Sequence, residues 1–135
     1  MKKTLVVLVM ALLIPVFSYS AEKDAPFVAA TGPDGVQHIT MTAGDYYFKP
    51  SHVVVRANVP VEISITNESS LTPHNFVMKS PEAGMEITQI LRRESSVIRF
   101  TPTKTGTYPF YCDRRFLFFK SHRDRGMEGT IEVVE

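Results

Sequence analysis

The clearest periodic signal in the chain is Val61-Glu-Ile-Ser-Ile-Thr-Asn67, where apolar and polar residues alternate strictly. That period of two predicts a strand with one buried face. Shorter runs repeat the message. His52 to Arg56 is a β-branched run, His74 to Met78 a short strand ending at Lys79-Ser-Pro81, and Ser96 to Phe100 another. Thr107 to Cys112 and the alternating Gly129 to Glu135 complete the set, and an opening strand runs from Val36 through Ile39 and Met41. Turn signals separate them near Ala43-Gly44-Asp45, at Lys49-Pro50, and over Ala57 to Pro60, Glu68 to Pro73 and Thr101 to Gly106. Residues 81–94 have mixed character, and Met85, Ile87, Ile90 and Leu91 are expected to form a brief helix or an irregular crossing. Seven or eight short strands with no long helix predict an all-β chain folded as an antiparallel β-sandwich.

The ends of the chain follow different rules. Lys2-Lys3, the apolar run from Leu5 to Phe17 and Ser18-Tyr19-Ser20 have the order of a signal peptide, with a run too short and too soon interrupted by Pro15 for a comfortable membrane span. Residues 1–20 are therefore expected to be cleaved and to direct the rest to the periplasm; an uncleaved anchor is the bland alternative. Residues 21–35 are polar and rich in Pro and Gly, and are expected to form a flexible arm. This leaves 36–135 as one domain, large enough for a core of its own.

Charge narrows the functional classes. Without Lys2 and Lys3, thirteen of the 15 Lys and Arg remain against 14 Asp and Glu, a net charge near −1. Nucleic-acid binding calls for a strongly basic face and is not expected. The single cysteine, Cys112, has no intramolecular disulfide partner in a compartment that favours disulfides. Such a thiol is either buried as a small hydrophobe or bound to a metal.

Spacing favours the metal. Nine residues separate Cys112 from His122, four more separate His122 from Met127 in Gly126-Met-Glu-Gly129, and His74 follows Pro73 at the start of another strand. A thiolate, two imidazoles and a weak thioether are the donors that suit a type 1, blue-copper site. Each donor also has a bland reading: His122 as a solvated loop residue, His74 as a turn cap, Met127 as core filler. His38 and His52 read as surface residues, and Met41, Met78 and Met85 as core.

These features are shared with a known family. Phe48-Lys-Pro50 before a Val-rich strand, Val61 to Asn67 leading to His74-Asn-Phe76, Gly106-Thr-Tyr108 before Phe110-Tyr-Cys112, and His122 before Met127 resemble, in one order, the cupredoxin superfamily of plastocyanin, azurin and the nitrite reductase copper domain. The resemblance covers roughly residues 47–134. It implies a Greek-key sandwich holding one type 1 copper ion, with His74, Cys112 and His122 as equatorial ligands and Met127 on the axis. It further implies that the backbone of Asn75 helps to hold the sulfur. The nine-residue interval between Cys112 and His122 is longer than in plastocyanin or azurin and closer to the nitrite reductase domain.

A function follows as an expectation. One cysteine and four histidines exclude a binuclear copper-thiolate centre and a multicopper oxidase, so an enzyme is not expected. The leading reading is a periplasmic carrier cycling Cu(II) and Cu(I); a copper chaperone or sensor with the same ligands, and a metal-free binding module, are the alternatives. Between Cys112 and Met127 five Arg and Lys face two Asp, an excess of +3. That excess suits a redox partner with an acidic docking surface, a c-type cytochrome or a membrane oxidoreductase. Phe116-Leu-Phe-Phe119 is expected either to fill a small core of its own or to form an apolar patch beside the metal. A monomer with no stable membrane insertion completes the picture.

Overall fold

The computed structural model describes residues 25–135, and the expected signal segment lies outside them. The chain forms ten strands: β1 Phe27–Val28, β2 Gln37–Gly44, β3 Tyr47–Lys49, β4 His52–Arg56, β5 Val61–Asn67, β6 His74–Ser80, β7 Met85–Leu91, β8 Ser95–Phe100, β9 Gly106–Tyr111 and β10 Glu128–Val134. Two single 3-10 turns, Pro81–Ala83 and Arg123–Arg125, are the other regular elements among the described residues. One sheet has the order β1-β4-β10-β9-β6-β7 and the other β3-β2-β5-β8. Between them lies the core, so the sandwich expected from the sequence is present.

Three features differ from expectation. Both sheets are mixed, since β1 with β4, β10 with β4, and β2 with β5 run parallel. Apart from the pairs β2–β3, β6–β7 and β9–β10, successive strands cross from sheet to sheet, and a strand laid beside a non-consecutive neighbour takes the direction its crossing dictates. Residues 85–91 form a strand, not a helix or irregular crossing, paired antiparallel with β6 over its whole length. Its true period is two: Met85 and Leu91 are buried and Ile87 half-buried, while Ile90 points to solvent. The described part of the expected arm is also ordered. Phe27 and Val28 pair with Val53 and Val54, Thr31 bridges to Gln37, and Ala29 is buried, so this segment extends the larger sheet.

Within the core the alternation holds closely. Gln37, Ile39, Met41 and Ala43 point inward from β2, and Val61, Ile63 and Ile65 from β5. Gln37 is the polar member, and its amide is satisfied by the Arg56 N–H at 2.7 Å and the carbonyls of Arg56 and Val59, both at 3.2 Å. Met41, Met78 and Met85 are buried, as read from the sequence. Phe76 and Phe110 stack 5.0 Å apart, and Phe48 from the facing sheet meets both edge-on at 5.8 and 5.3 Å. Such contacts add about 0.5 to 1.5 kcal/mol per pair beyond the burial itself. Gly129 is forced by packing: a side chain there would strike the Ser51 carbonyl and the Phe110 ring.

Candidate metal centre

Strand period delivers the first two donors. His74 shares a face of β6 with Phe76 and Met78, and Cys112 continues the inward series of Tyr108 and Phe110 just past β9. Both therefore sit at one end of the larger sheet, on top of the aromatic trio. The loop after Cys112 returns the third. His122 comes to rest with its Nδ1 3.4 Å from Cys112 Sγ and 3.1 Å from His74 Nδ1, while the His74 nitrogen lies 3.8 Å from the sulfur. All three residues are buried.

The triangle has the size of a metal shell. Donors about 2.0 to 2.3 Å from one first-row ion in a trigonal plane lie about 3.5 to 3.8 Å apart, and the three edges fall within about half an ångström of that. Chemistry agrees with size. Two imidazole lone pairs and a sulfur converge on one point, and without a cation one Nδ1 must carry a proton that the other accepts. Burial pushes the Cys112 thiol above its ordinary 9.0, an effect only partly offset by the N–H groups of Asn75 and Arg114. Burial, and then the neighbouring His122, lower His74 to about 4. His122 is lowered as well, by burial and by Arg125 and Arg114. The site thus presents neutral imidazoles at neutral pH and a thiol that needs a cation before it will ionise. The donor set fits one copper ion of the type 1 kind.

A frame of main-chain bonds holds the donors. Cys112 N–H donates to the Met127 carbonyl (3.0 Å), Met127 N–H to that of His122 (3.0 Å), and Arg123 N–H to that of Cys112 (2.9 Å). The 3-10 turn between them ends at Gly126, whose φ of 99° is a left-handed conformation that favours glycine. Met127 is fully buried and tied by these bonds to both neighbouring ligand positions. The Asn75 N–H points at Cys112 Sγ from 3.5 Å. Its side chain adds a clasp that the sequence did not announce: Nδ2 donates to Asp113 Oδ1 at 2.7 Å, and Asp113 N–H donates back to Oδ1 at 3.2 Å.

The long interval between Cys112 and His122 is absorbed by one bond. His122 N–H donates to the Arg114 carbonyl at 2.8 Å, so the chain leaves and re-enters at the same place and the extra residues stand outside the site. Tyr46 was also missed. It meets the His122 ring edge-on at 5.1 Å, and Arg125 lies 4.8 Å over the Tyr46 ring while donating to its hydroxyl at 3.2 Å. Tyr46 holds this place with a φ of 65°, a conformation invisible in a run of three aromatics. His38 and His52 are far from the donors in role: they pair with Asp34 at 2.7 Å and Glu132 at 2.9 Å.

A β-sandwich with a buried His-Cys-His cluster at one end is the architecture of a mononuclear metalloprotein. The chain belongs to the cupredoxin-like domain family, whose profile matches residues 7–131. No curated protein matches it in sequence. Solved structures share its fold at low identity. The metal-binding domain of the Cu(I)-exporting P-type ATPase of Streptococcus pneumoniae, solved with Cu(I), is 24% identical over 82% of this chain and 97% of its own, with a TM-score of 0.63. Dithionite-reduced auracyanin from Roseiflexus castenholzii is 21% identical over 79% and 99%, at 0.59. Rusticyanin from Thiobacillus ferrooxidans is 17% identical over 74% and 78%, at 0.54.

Proposed function

We propose that this protein is a periplasmic electron carrier and not an enzyme, in which His74, Cys112 and His122, with Met127 as a fourth donor, would hold one copper ion. One observation carries the reading: three soft or borderline donors from two strands and a loop converge within 3.1 to 3.8 Å. Copper would supply a one-electron couple between Cu(II) and Cu(I). The chain supplies the rest. Main-chain bonds pin the donors before any ion arrives, which limits movement between oxidation states. The Asn75 N–H shares the charge of the thiolate and so bears on the potential. His122, at the loop end of the sandwich, is the exit toward a redox partner with an acidic docking surface, a c-type cytochrome or a membrane oxidoreductase.

A second reading, copper handling, draws on the likeness to a metal-binding domain of a Cu(I)-exporting ATPase. Addition of Cu(II) to the purified protein separates the two. A carrier develops intense thiolate charge-transfer bands and a copper paramagnetic resonance signal, both lost on reduction and regained on oxidation. A handler stays colourless and yields Cu(I) readily to a chelator. Cys112→Ser abolishes the bands, and colour that survives this change defeats the ligand assignment.

A further inference from the structure

The loop that stands outside the metal centre ends in a cluster of apolar side chains facing water. Phe116, Leu117, Phe118 and Phe119 are 69%, 67%, 86% and 48% exposed. They form a tight turn, closed by the Phe119 N–H to the Phe116 carbonyl at 3.0 Å and taken at Leu117 with a φ of 49°. The three rings order one another: Phe119 stacks on Phe118 at 4.9 Å and on Phe116 at 6.2 Å. Phe48, Phe76 and Phe110 are buried almost completely, and the fold gains nothing from leaving a cluster of four apolar side chains in water, so the tip has an occupant.

Charge identifies it. Arg115 and Lys120 bracket the tip, both exposed, and neither pairs with an acid among the described residues. Arg123 and Arg125 stand behind them, laid on the rings of Tyr111 and Tyr46. The two acids of the loop are turned to internal use, Asp113 in the clasp with Asn75 and Asp124 with Ser121. An apolar turn this exposed, with cations on both flanks, fits a medium that can mould itself around the tip. A fluid acyl layer does this, whereas a folded partner offers one fixed surface. The cations then lie at the level of the headgroups.

We infer that the 116–119 tip inserts reversibly into the interfacial layer of an anionic phospholipid bilayer, with Arg115 and Lys120 contacting lipid phosphates. Apolar insertion and a basic collar are the two signals that peripheral attachment requires, since either alone holds weakly. Attachment lays the loop end of the sandwich, with His122, against the membrane plane. It does not depend on copper.

The test is flotation of the purified protein with vesicles of phosphatidylglycerol and phosphatidylcholine, and with phosphatidylcholine alone, with and without copper. All variants share the segment before residue 25, so differences belong to the loop. Wild type partitions onto the anionic vesicles in both metal states, and much less onto neutral ones. Phe118→Ser lowers the partition coefficient at least tenfold. Arg115→Ser and Lys120→Ser lower it about five-fold each. Unchanged melting temperatures establish that these surface variants are folded. Equal partition onto anionic and neutral vesicles overturns the inference, as does wild-type vesicle binding by Phe118→Ser. If that variant floats normally but passes electrons more slowly to a redox protein, the tip is a protein interface and the lipid assignment is wrong.

Discussion

The molecule contains two clusters of three phenylalanines that do opposite things. Phe48, Phe76 and Phe110 come from three strands of two sheets and are shut away from water beneath His74 and Cys112. Phe116, Phe118 and Phe119 come from one turn and stand in water beyond His122. Residue type is the same in the two, and each holds at least one stacked pair. What separates them is connectivity: the inner rings join distant parts of the chain, so losing one loosens the platform of the site. The outer rings touch mostly one another, and the fold does not depend on them.

The largest effect that would break this contrast is on stability. Phe110→Ala leaves a cavity under Cys112 and is expected to cost about 3 to 5 kcal/mol. Phe118→Ser should change stability by less than about 0.5 kcal/mol. Denaturant unfolding of the two metal-free variants measures both, and similar losses would dissolve the distinction.

Mild acid should act on the inner region through its histidines. His74 titrates near 4 in the folded protein against 6.5 when unfolded, so the unfolded chain binds the extra proton between those values. Stability is therefore full above pH 6.5 and falls as pH drops toward 4, by up to roughly 3 kcal/mol at ~1.4 kcal/mol per pH unit. His122 is shifted in the same direction. Exposed His38, raised chiefly by its bond to Asp34, opposes them, and a His38→Gln background removes it. Melting temperatures of the metal-free protein from pH 7 to 4.5 test the point; a flat profile in that background contradicts it.

The smallest effect sharpens the boundary between the regions. Asn75→Ala opens the clasp to Asp113 while keeping the backbone N–H toward the sulfur, and should cost about 1 to 3 kcal/mol. Asn75→Asp, which sets two carboxylates face to face, should cost more. Equal stability of all three proteins in urea would show that the clasp holds nothing.

The same division governs what the sequence disclosed. Positions with a strict period of two, as in Val61 to Asn67, were legible because alternation is a local property of the chain, and the strands that deliver His74 and Cys112 were legible as short apolar runs between turn signals. The strand β7 was obscured because Ile90 is apolar yet faces out, next to buried Leu91, which erases the alternation at its end. The parallel pairings of β2 with β5 and β4 with β10 depend on which distant strands become neighbours, and no local pattern encodes that. The ligands His74, Cys112 and His122 were legible as residue types at suggestive spacing. The Asn75 clasp joins residues 38 positions apart, and the place of Tyr46 at the edge of His122 arises from a turn whose dihedral angle leaves no mark in composition.

The bond from His122 to Arg114 has one more consequence. A ring closed at its base by a main-chain bond can change its circumference without moving the clasp. Doubling the length of such a segment costs only about 0.6 kcal/mol in closure entropy. Residues 115–121 thus form an interchangeable cassette: descendants of this chain can trade its length and chemistry while Cys112 and His122 stay in register.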